Sequence, residues 1–305
     1  MEPTARGRGG PRGRERRRRR VTRSAWIAPE WTERLGAAGL TDAARLLAAP
    51  PDAGDLAGRW EPLTKPGLGG RERWRWTLPG TPAAVLYLKR YLHTPWRAQC
   101  DRLWRQARGH SRAWWEWWQG EDLTRRSVPA ARAVAVAEEL WAGWECRSAV
   151  LFPAVAGDGL DRAWAAAVAA GAPLTRGRAR HAVVRSLARF VSAFHQTGTC
   201  HRDLYLCHVF AVLDPTAANP PRFTLIDLAR THRPRWRRMR WLLKDLAQLD
   251  SSTQSLDVTR TDRLRFLSAY LGLPRESPRT RWYARRVAAR SARIARQVAR
   301  RRARG

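Results

Sequence analysis

The sequence predicts an α+β fold of two lobes, with strands gathered in the first and helices in the second. Three observations carry that reading. Stretches with strand patterning cluster before residue 155, whereas a helical stripe opens at Arg178 and helical patterning dominates after Trp236. The 305 residues are 44% hydrophobic and include 17 tryptophans, enough to bury a real core. No internal repeat divides the chain, so one large domain or two small ones is expected.

Taken in order, residues 1–23 hold ten Arg against two Glu among many Gly and Pro, the composition of a disordered basic tail, and 1–34 is read as tail and lead-in. The first lobe is placed at 35–155. There Lys65-Pro66-Gly67-Leu68-Gly69-Gly70 reads as a glycine-rich turn, and Arg73–Leu78 and Ala83–Tyr91 as strands separated by Pro79-Gly80-Thr81-Pro82. Ala131–Ala137 and Ser148–Phe152 read as two more strands. The second lobe is placed at 156–272. Val183, Val184, Leu187, Phe190, Val191 and Phe194 give an amphipathic helix from Arg178, and Gly198 is positioned to end it. Val209–Val212 and Phe223–Ile226 read as short strands joined by the turn-rich segment from Asp214 to Pro221. Residues 273–305 read as a basic amphipathic helix, with Tyr283, Val287, Ile294 and Val298 near one face.

Composition narrows the function classes. With 58 Lys+Arg against 26 Asp+Glu the formal net charge is +32, which suits nucleic acid, anionic lipid or an anionic substrate. Only Lys65, Lys89 and Lys244 are lysine, so in so arginine-biased a chain each retained lysine is a site candidate. Four cysteines are too few for a disulfide scaffold and no disulfide partner is expected. The longest apolar run, Trp164 to Leu174, is about half of what a membrane span needs. No signal peptide is visible, so a reducing cytoplasm is the expected compartment.

The chemistry-bearing residues recur in an ordered series. His201-Arg202-Asp203-Leu204-Tyr205-Leu206-Cys207-His208 directly follows the long helix, and Leu225-Ile226-Asp227 puts a carboxylate at the end of an apolar strand. Upstream, Val85-Leu86-Tyr87-Leu88-Lys89 puts a rare lysine at the end of another strand, after the glycine-rich turn. Each piece alone has a bland reading: a loop cap, a surface strand end, a plain turn. Glycine loop, strand lysine, His-Arg-Asp loop and strand-terminal Asp in that order resemble protein-kinase-like enzymes. Phosphoryl transfer has uses for these parts: close backbone N–H groups and a lysine for the phosphates, one carboxylate for Mg²⁺ and another for the hydroxyl proton. No G-x-x-x-x-G-K-[ST] element occurs, which argues against a P-loop enzyme. Cys200, His201, Cys207 and His208 permit zinc on paper, but neighbouring side chains on extended backbone diverge, and reduced thiols account for the cysteines better.

The stretch from Phe194 to His208 resembles the catalytic segment of the lipopolysaccharide kinase family (the WaaP/Kdo kinase group). Leu225-Ile226-Asp227-Leu228-Ala229-Arg230 resembles its metal-binding motif. Arg235-Trp236-Arg237, and Lys244-Asp245-Leu246-Ala247-Gln248-Leu249 after it, resemble the stretch that follows. The likeness runs over roughly 35–272, is dense from 194 to 252, and is nearest the heptose I kinase branch. It implies a two-lobed protein-kinase-like fold using ATP and Mg²⁺, with Asp203 as catalytic base, Asp227 as Mg²⁺ ligand and Lys89 on the ATP phosphates. It further implies Glu116 as partner of Lys89 (Glu121 the runner-up) and Leu151–Val155, including Pro153 and Val155, as the adenine-reading hinge. Gly67, Gly69 and Gly70 would form the phosphate loop, and Asp245 would brace the catalytic loop together with His201 and Arg202. His208 would contact the metal indirectly or hydrogen-bond nearby, because Mg²⁺ prefers oxygen. Arg230, Arg235 and Arg237 would bind the acceptor, since guanidinium grips phosphate and carboxylate in bidentate fashion. The implied acceptor is the lipopolysaccharide inner core, most simply heptose I, met at the inner face of the bacterial inner membrane by a peripheral cytoplasmic enzyme. Two rivals remain: a kinase for Kdo or another acceptor, and an inactive basic module that binds nucleic acid or membrane. Intact Lys89, Asp203 and Asp227 weigh against the latter, and nucleic acid is not the expected partner.

Overall fold

The computed structural model of the chain describes residues 21–48, 56–64, 70–106 and 109–302. The first lobe is built on an antiparallel sheet of β1 (Val21–Ile27), β2 (Arg59–Pro62), β3 (Arg71–Leu78), β4 (Ala84–Tyr91), β5 (Ala135–Trp141) and β6 (Trp144–Pro153), in the order β1-β5-β6-β4-β3-β2. Period-2 alternation sorts its side chains. In β3 and β4, Trp76, Leu78, Leu86 and Leu88 are buried in one apolar core, with Trp76 facing Leu86 and Trp74 facing Leu88 across the pair. The opposite parity puts Arg73 directly across from Lys89 on the other face. β5 and β6 are joined by Ala142 and Gly143, both at positive φ (50° and 83°), as a two-residue primed hairpin turn requires.

The sequence reading misplaces two parts of this lobe. Residues 1–34 are not all tail: Val21–Ile27 is an edge strand paired in register along β5, and the short helix α1 (Thr32–Ala37) follows it. Its opening Val21-Thr22-Arg23 adjoins the arginine run and so reads with the tail, and its pairing with β5 lies more than a hundred residues away in sequence. The strand expected at 131–137 begins instead at Ala135 and runs to Trp141. Glu138 and Glu139 lie in its middle and are buried with partners. Glu138 accepts from the Ser111 backbone N–H at 2.7 Å, and Glu139 accepts from Arg23 and Arg147.

Two helices cross from the sheet to the second lobe, α2 (Trp96–Arg105) and α3 (Arg112–Arg125). Ser111 caps α3, accepting from the Trp114 N–H. Gly120, in the middle of α3, is required by close approach: a Cβ there would lie 2.4 Å from the Ala131 carbonyl oxygen.

The second lobe holds β7 (Asp158–Gly159), α4 (Leu160–Ala169), α5 (Gly177–Gln196), β8 (Val209–Val212), β9 (Arg222–Leu225), α6 (Arg238–Ser251), α7 (Arg260–Leu271) and α8 (Pro278–Arg302). The apolar stripe of α5 packs as its spacing predicts, with Val191 and Phe194 essentially inaccessible, and Gly198 follows at φ 85°. Full burial of a side chain such as Phe194 contributes roughly 1.5–3 kcal/mol. The C-terminal stripe is corrected in part. Tyr283 and Val287 belong to this lobe's core, so the first half of α8 is a structural helix packed on α6. Only Ile294 and Val298, further along, are left half-buried or exposed.

Candidate active site

Lys89 leaves the end of β4 and donates to Glu116 Oε1 at 2.6 Å and to Asp227 Oδ1 at 3.0 Å. α3 turns Ala113, Glu116, Gly120 and Leu123 inward, so Glu116 is buried at 1% exposure, while Glu121 pairs with Arg132 away from the site. The helix phase thus selects Glu116 over Glu121. Burial opposes the Lys89 charge, yet the Asp227 and Glu116 carboxylates outweigh it and hold the ammonium well above the ordinary lysine range. Lys89 in turn is the main reason the Asp227 carboxyl lies far below the usual carboxylate range, against the pull of burial. Burial raises the Glu116 carboxyl, and Lys89 draws it back down.

From the second lobe, β9 delivers Asp227, which sits in the left-handed region at φ 59°, as does Arg202 at φ 71°. Such backbone persists where its surroundings over-determine it. Asp245, fully buried on α6, accepts from the backbone N–H groups of His201 (2.6 Å) and Arg202 (2.8 Å). Burial works against its charge, but bonds from His195 and the loop hold its carboxyl below the ordinary range. Lys244 donates to the Arg202 carbonyl, and His201 Nε2 donates to the Ile226 carbonyl at 3.0 Å. The loop carrying Asp203 is therefore pinned from α6 and from the strand that ends beside Asp227. His208 Nδ1 donates to the Asp203 carbonyl at 2.7 Å, and its Nε2 lies 3.6 Å from Asp227 Oδ2.

Two cavities meet at Arg73, Lys89 and Asp227. One, of about 530 Å³, is walled by Tyr87, Leu88, Phe152, Pro153, Val155 and Ile226, an apolar slot with Lys89, Glu116 and Asp227 at its end. The other, of about 700 Å³, is lined by Arg71, Arg73, His93, Arg97, Arg202, Asp203 and Arg230 among others. The slot fits a planar base with a charged tail directed at Lys89. The donor set also fits Mg²⁺ arriving on phosphate: ionised Asp227 offers oxygen ligands, and Mg²⁺ commonly takes one or two carboxylates and completes its shell with phosphate oxygens and water.

Lys89, Glu116, Asp203, Asp227, His201, Arg202, His208, Asp245 and Arg230 come together, and Pro153 and Val155 line the slot. Gly67 and Gly69, with Lys65, lie outside the described residues. Gly70 lines neither cavity; it is glycine because a Cβ would lie 2.8 Å from His93. Arg235 and Arg237 are corrected as well, since both are exposed on the segment before α6 and line neither cavity.

Some site residues carried no local signal. Arg202 makes a two-pronged pair with Asp101 of α2 (2.6 and 3.2 Å). Gln248 Nε2 reaches Tyr205 Oη at 3.1 Å and Asp203 Oδ1 at 3.5 Å. Lys244, one of the three retained lysines, is half-buried on α6 against the loop, and burial first of all lowers its ammonium to about 8. Its rarity as a lysine was the signal that pointed to it.

A sheet presenting a paired lysine over a helical lobe that holds two strand- and loop-borne carboxylates defines a two-lobed, kinase-like fold. Residues 82–270, well over half of the chain, match the model of the "Lipopolysaccharide kinase (Kdo/WaaP) family". The chain belongs to that family. It is 40% identical over 98 residues to the lipopolysaccharide core heptose(I) kinase WaaP of Pseudomonas aeruginosa, and 32% identical over 98 residues to the protein of that name from Escherichia coli K12. Each match covers 32% of this chain and 37% of the relative, so the similarity spans little more than a third of the curated relatives' length. A solved structure, WaaP in complex with acyl carrier protein, superposes with a TM-score of 0.57 at 22% identity, covering 88% of this chain and 99% of that one. That likeness is one of fold.

Proposed function

We propose that the chain is a sugar kinase that moves the γ-phosphate of ATP to a hydroxyl of the lipopolysaccharide inner core, with heptose I as acceptor. The single observation that carries the reading is the chain of ionic contacts Glu116–Lys89–Asp227, beside Asp203 on a loop pinned by Asp245. The slot between Tyr87, Phe152 and Val155 would take the adenine, and Lys89 the phosphates. Asp203 would receive the hydroxyl proton and orient the attacking oxygen. Asp227 would hold Mg²⁺, whose charge, when bound, offsets the negative charge building on the transferred group. His208 would fix the Asp203 backbone and face Asp227 as a hydrogen-bonding neighbour. The chain's own contribution is positioning and a fixed field.

The inner-membrane surface is the proposed workplace. No helix of the described residues is long and apolar enough to cross a membrane. The distal part of α8 exposes Arg293, Arg296, Arg300 and Val298, a basic and partly apolar face suited to an anionic inner leaflet. The test is γ-phosphate transfer from ATP to purified inner-core lipopolysaccharide, with the modified sugar mapped. Transfer to heptose that falls about 10²–10⁴-fold in Asp203→Ala is the expected result. Transfer to Kdo would move the acceptor within the family, and no ATP turnover with any core acceptor would sink the reading.

A further inference from the structure

We infer that Arg230 gates Asp203 and reads a negative charge on the acceptor, so that the site favours a hydroxyl lying close to a phosphate or carboxylate. The inference rests on the kinase reading above and names what that kinase selects. Arg230 Nη1 lies 2.6 Å from Asp203 Oδ2, and Asp203 Oδ1 faces Gln248 at 3.5 Å. With Gln248 facing Oδ1 and Arg230 seated on Oδ2, a hydroxyl approaching Oδ2 shares that oxygen with the guanidinium or displaces it. The nearby positive charge opposes the arriving proton until the guanidinium leaves. The Arg230 side chain is 55% exposed and closes a short helical turn only three residues after Asp227, so it can swing while the backbone stays. A pair this exposed is weakly held and opens readily.

Charge in the cavity decides where the guanidinium goes. Its lining holds nine Arg and Lys side chains against four Asp and Glu. The other three carboxylates are engaged: Asp227 by Lys89, Asp101 by Arg202 and Glu72 by Arg90. Once Arg230 leaves Asp203, the lining offers it no further carboxylate, and an anionic group on the acceptor supplies one. A neutral sugar leaves Arg230 on Asp203 and the base occupied. With Arg230 drawn away, the acceptor oxygen bonds to the γ-phosphorus as the bridging oxygen departs with ADP, and the hydroxyl proton passes to Asp203.

The experiment uses the full chain, with titration calorimetry and transfer kinetics on three probes: a deacylated inner-core oligosaccharide, the same sugar after phosphatase treatment, and the same after reduction of its carboxylates to alcohols. For wild type, affinity falls about tenfold or more on removal of one kind of charge, and the treatment responsible identifies phosphate or carboxylate as the group read. Arg230→Gln should bind the intact probe about tenfold more weakly, lose the preference among the three, and hydrolyse ATP faster without acceptor because water reaches Asp203. Arg230→Lys should recover part of the preference, keeping the charge without the planar fork. Unchanged affinity, preference and hydrolysis in Arg230→Gln would overturn the gate while leaving the kinase standing. A wild type that moves phosphate to none of the probes would overturn both.

Discussion

The two cavities that meet at Lys89 and Asp227 are built from different chemistry. The slot is walled mainly by aromatic and aliphatic side chains, with Lys89 at the end that the two cavities share, whereas the neighbouring cavity carries eight arginines. In a chain where nearly every cation is arginine, Lys89 is a lysine retained where two carboxylates, on α3 and after β9, converge on a single ammonium. A compact point charge satisfies both, and a planar guanidinium belongs where oxyanions are gripped side-on. On the function proposed above, the comparison teaches that cation type, more than cation number, would divide a phosphate-holding end from a surface that selects among acceptors.

The largest expected effect comes from breaking the lysine end. Lys89→Met leaves Glu116 buried without its cation and should cost about 3–5 kcal/mol in urea unfolding, a large part of a domain's stability. Adding Glu116→Leu should restore most of that stability and none of the transfer activity. Stability that stays low in the double variant would mean that packing, not the unpaired charge, was the cause. Next is the brace under the loop that carries Asp203. Asp245→Asn keeps shape but offers one acceptor where two backbone N–H groups need one each, an expected loss of about 1–3 kcal/mol. Its kcat should drop while nucleotide Kd, measured by calorimetry, stays near wild type.

The smallest expected effect sharpens the arginine side. Burial, aided by Arg202 and Arg105, lowers the His232 imidazole to about 4 from its ordinary 6.5. A histidine kept neutral on folding contributes stability that is fully present above pH 6.5 and lost as the pH falls toward 4, because the unfolded chain binds the proton first. Thermal unfolding between pH 7 and 4.5 should show this slope, and His232→Gln should reduce it by the equivalent of one proton. An identical slope in the variant would assign the acid loss to other groups.

Much of this was legible from local pattern. The α5 stripe, the strand Val209–Val212 and the ordered series Lys89, Asp203, Asp227 are short-range signals, and the fold they predicted is the fold observed. What the pattern missed is pairing across long separations. Arg23 and Arg147 neutralise Glu139 and so hide a strand, Asp101 meets Arg202 from 101 residues away, and Tyr283 is buried by α6 instead of facing outward. Charged residues look like surface until their partners are known, and an apolar stripe does not say what covers it. The acceptor arginines illustrate the same limit. Of Arg230, Arg235 and Arg237, only the first lines the site, and the other two are exposed outside both cavities.

α3 is moored to the second lobe as well as to the sheet. The Trp115 indole donates to the Thr231 carbonyl at 3.0 Å, Asp122 pairs with Arg233, and Ala131, against which Gly120 packs, donates to the Leu225 carbonyl at 2.8 Å. Just ahead of this helix, Gln106 donates to the Ala229 carbonyl at 2.7 Å. Withdrawing Glu116 from Lys89 would require tearing these anchors on both sides of the cleft at once. The helix is thus a rivet between lobes more than a lever, since swinging it outward would break contacts to both walls of the cleft.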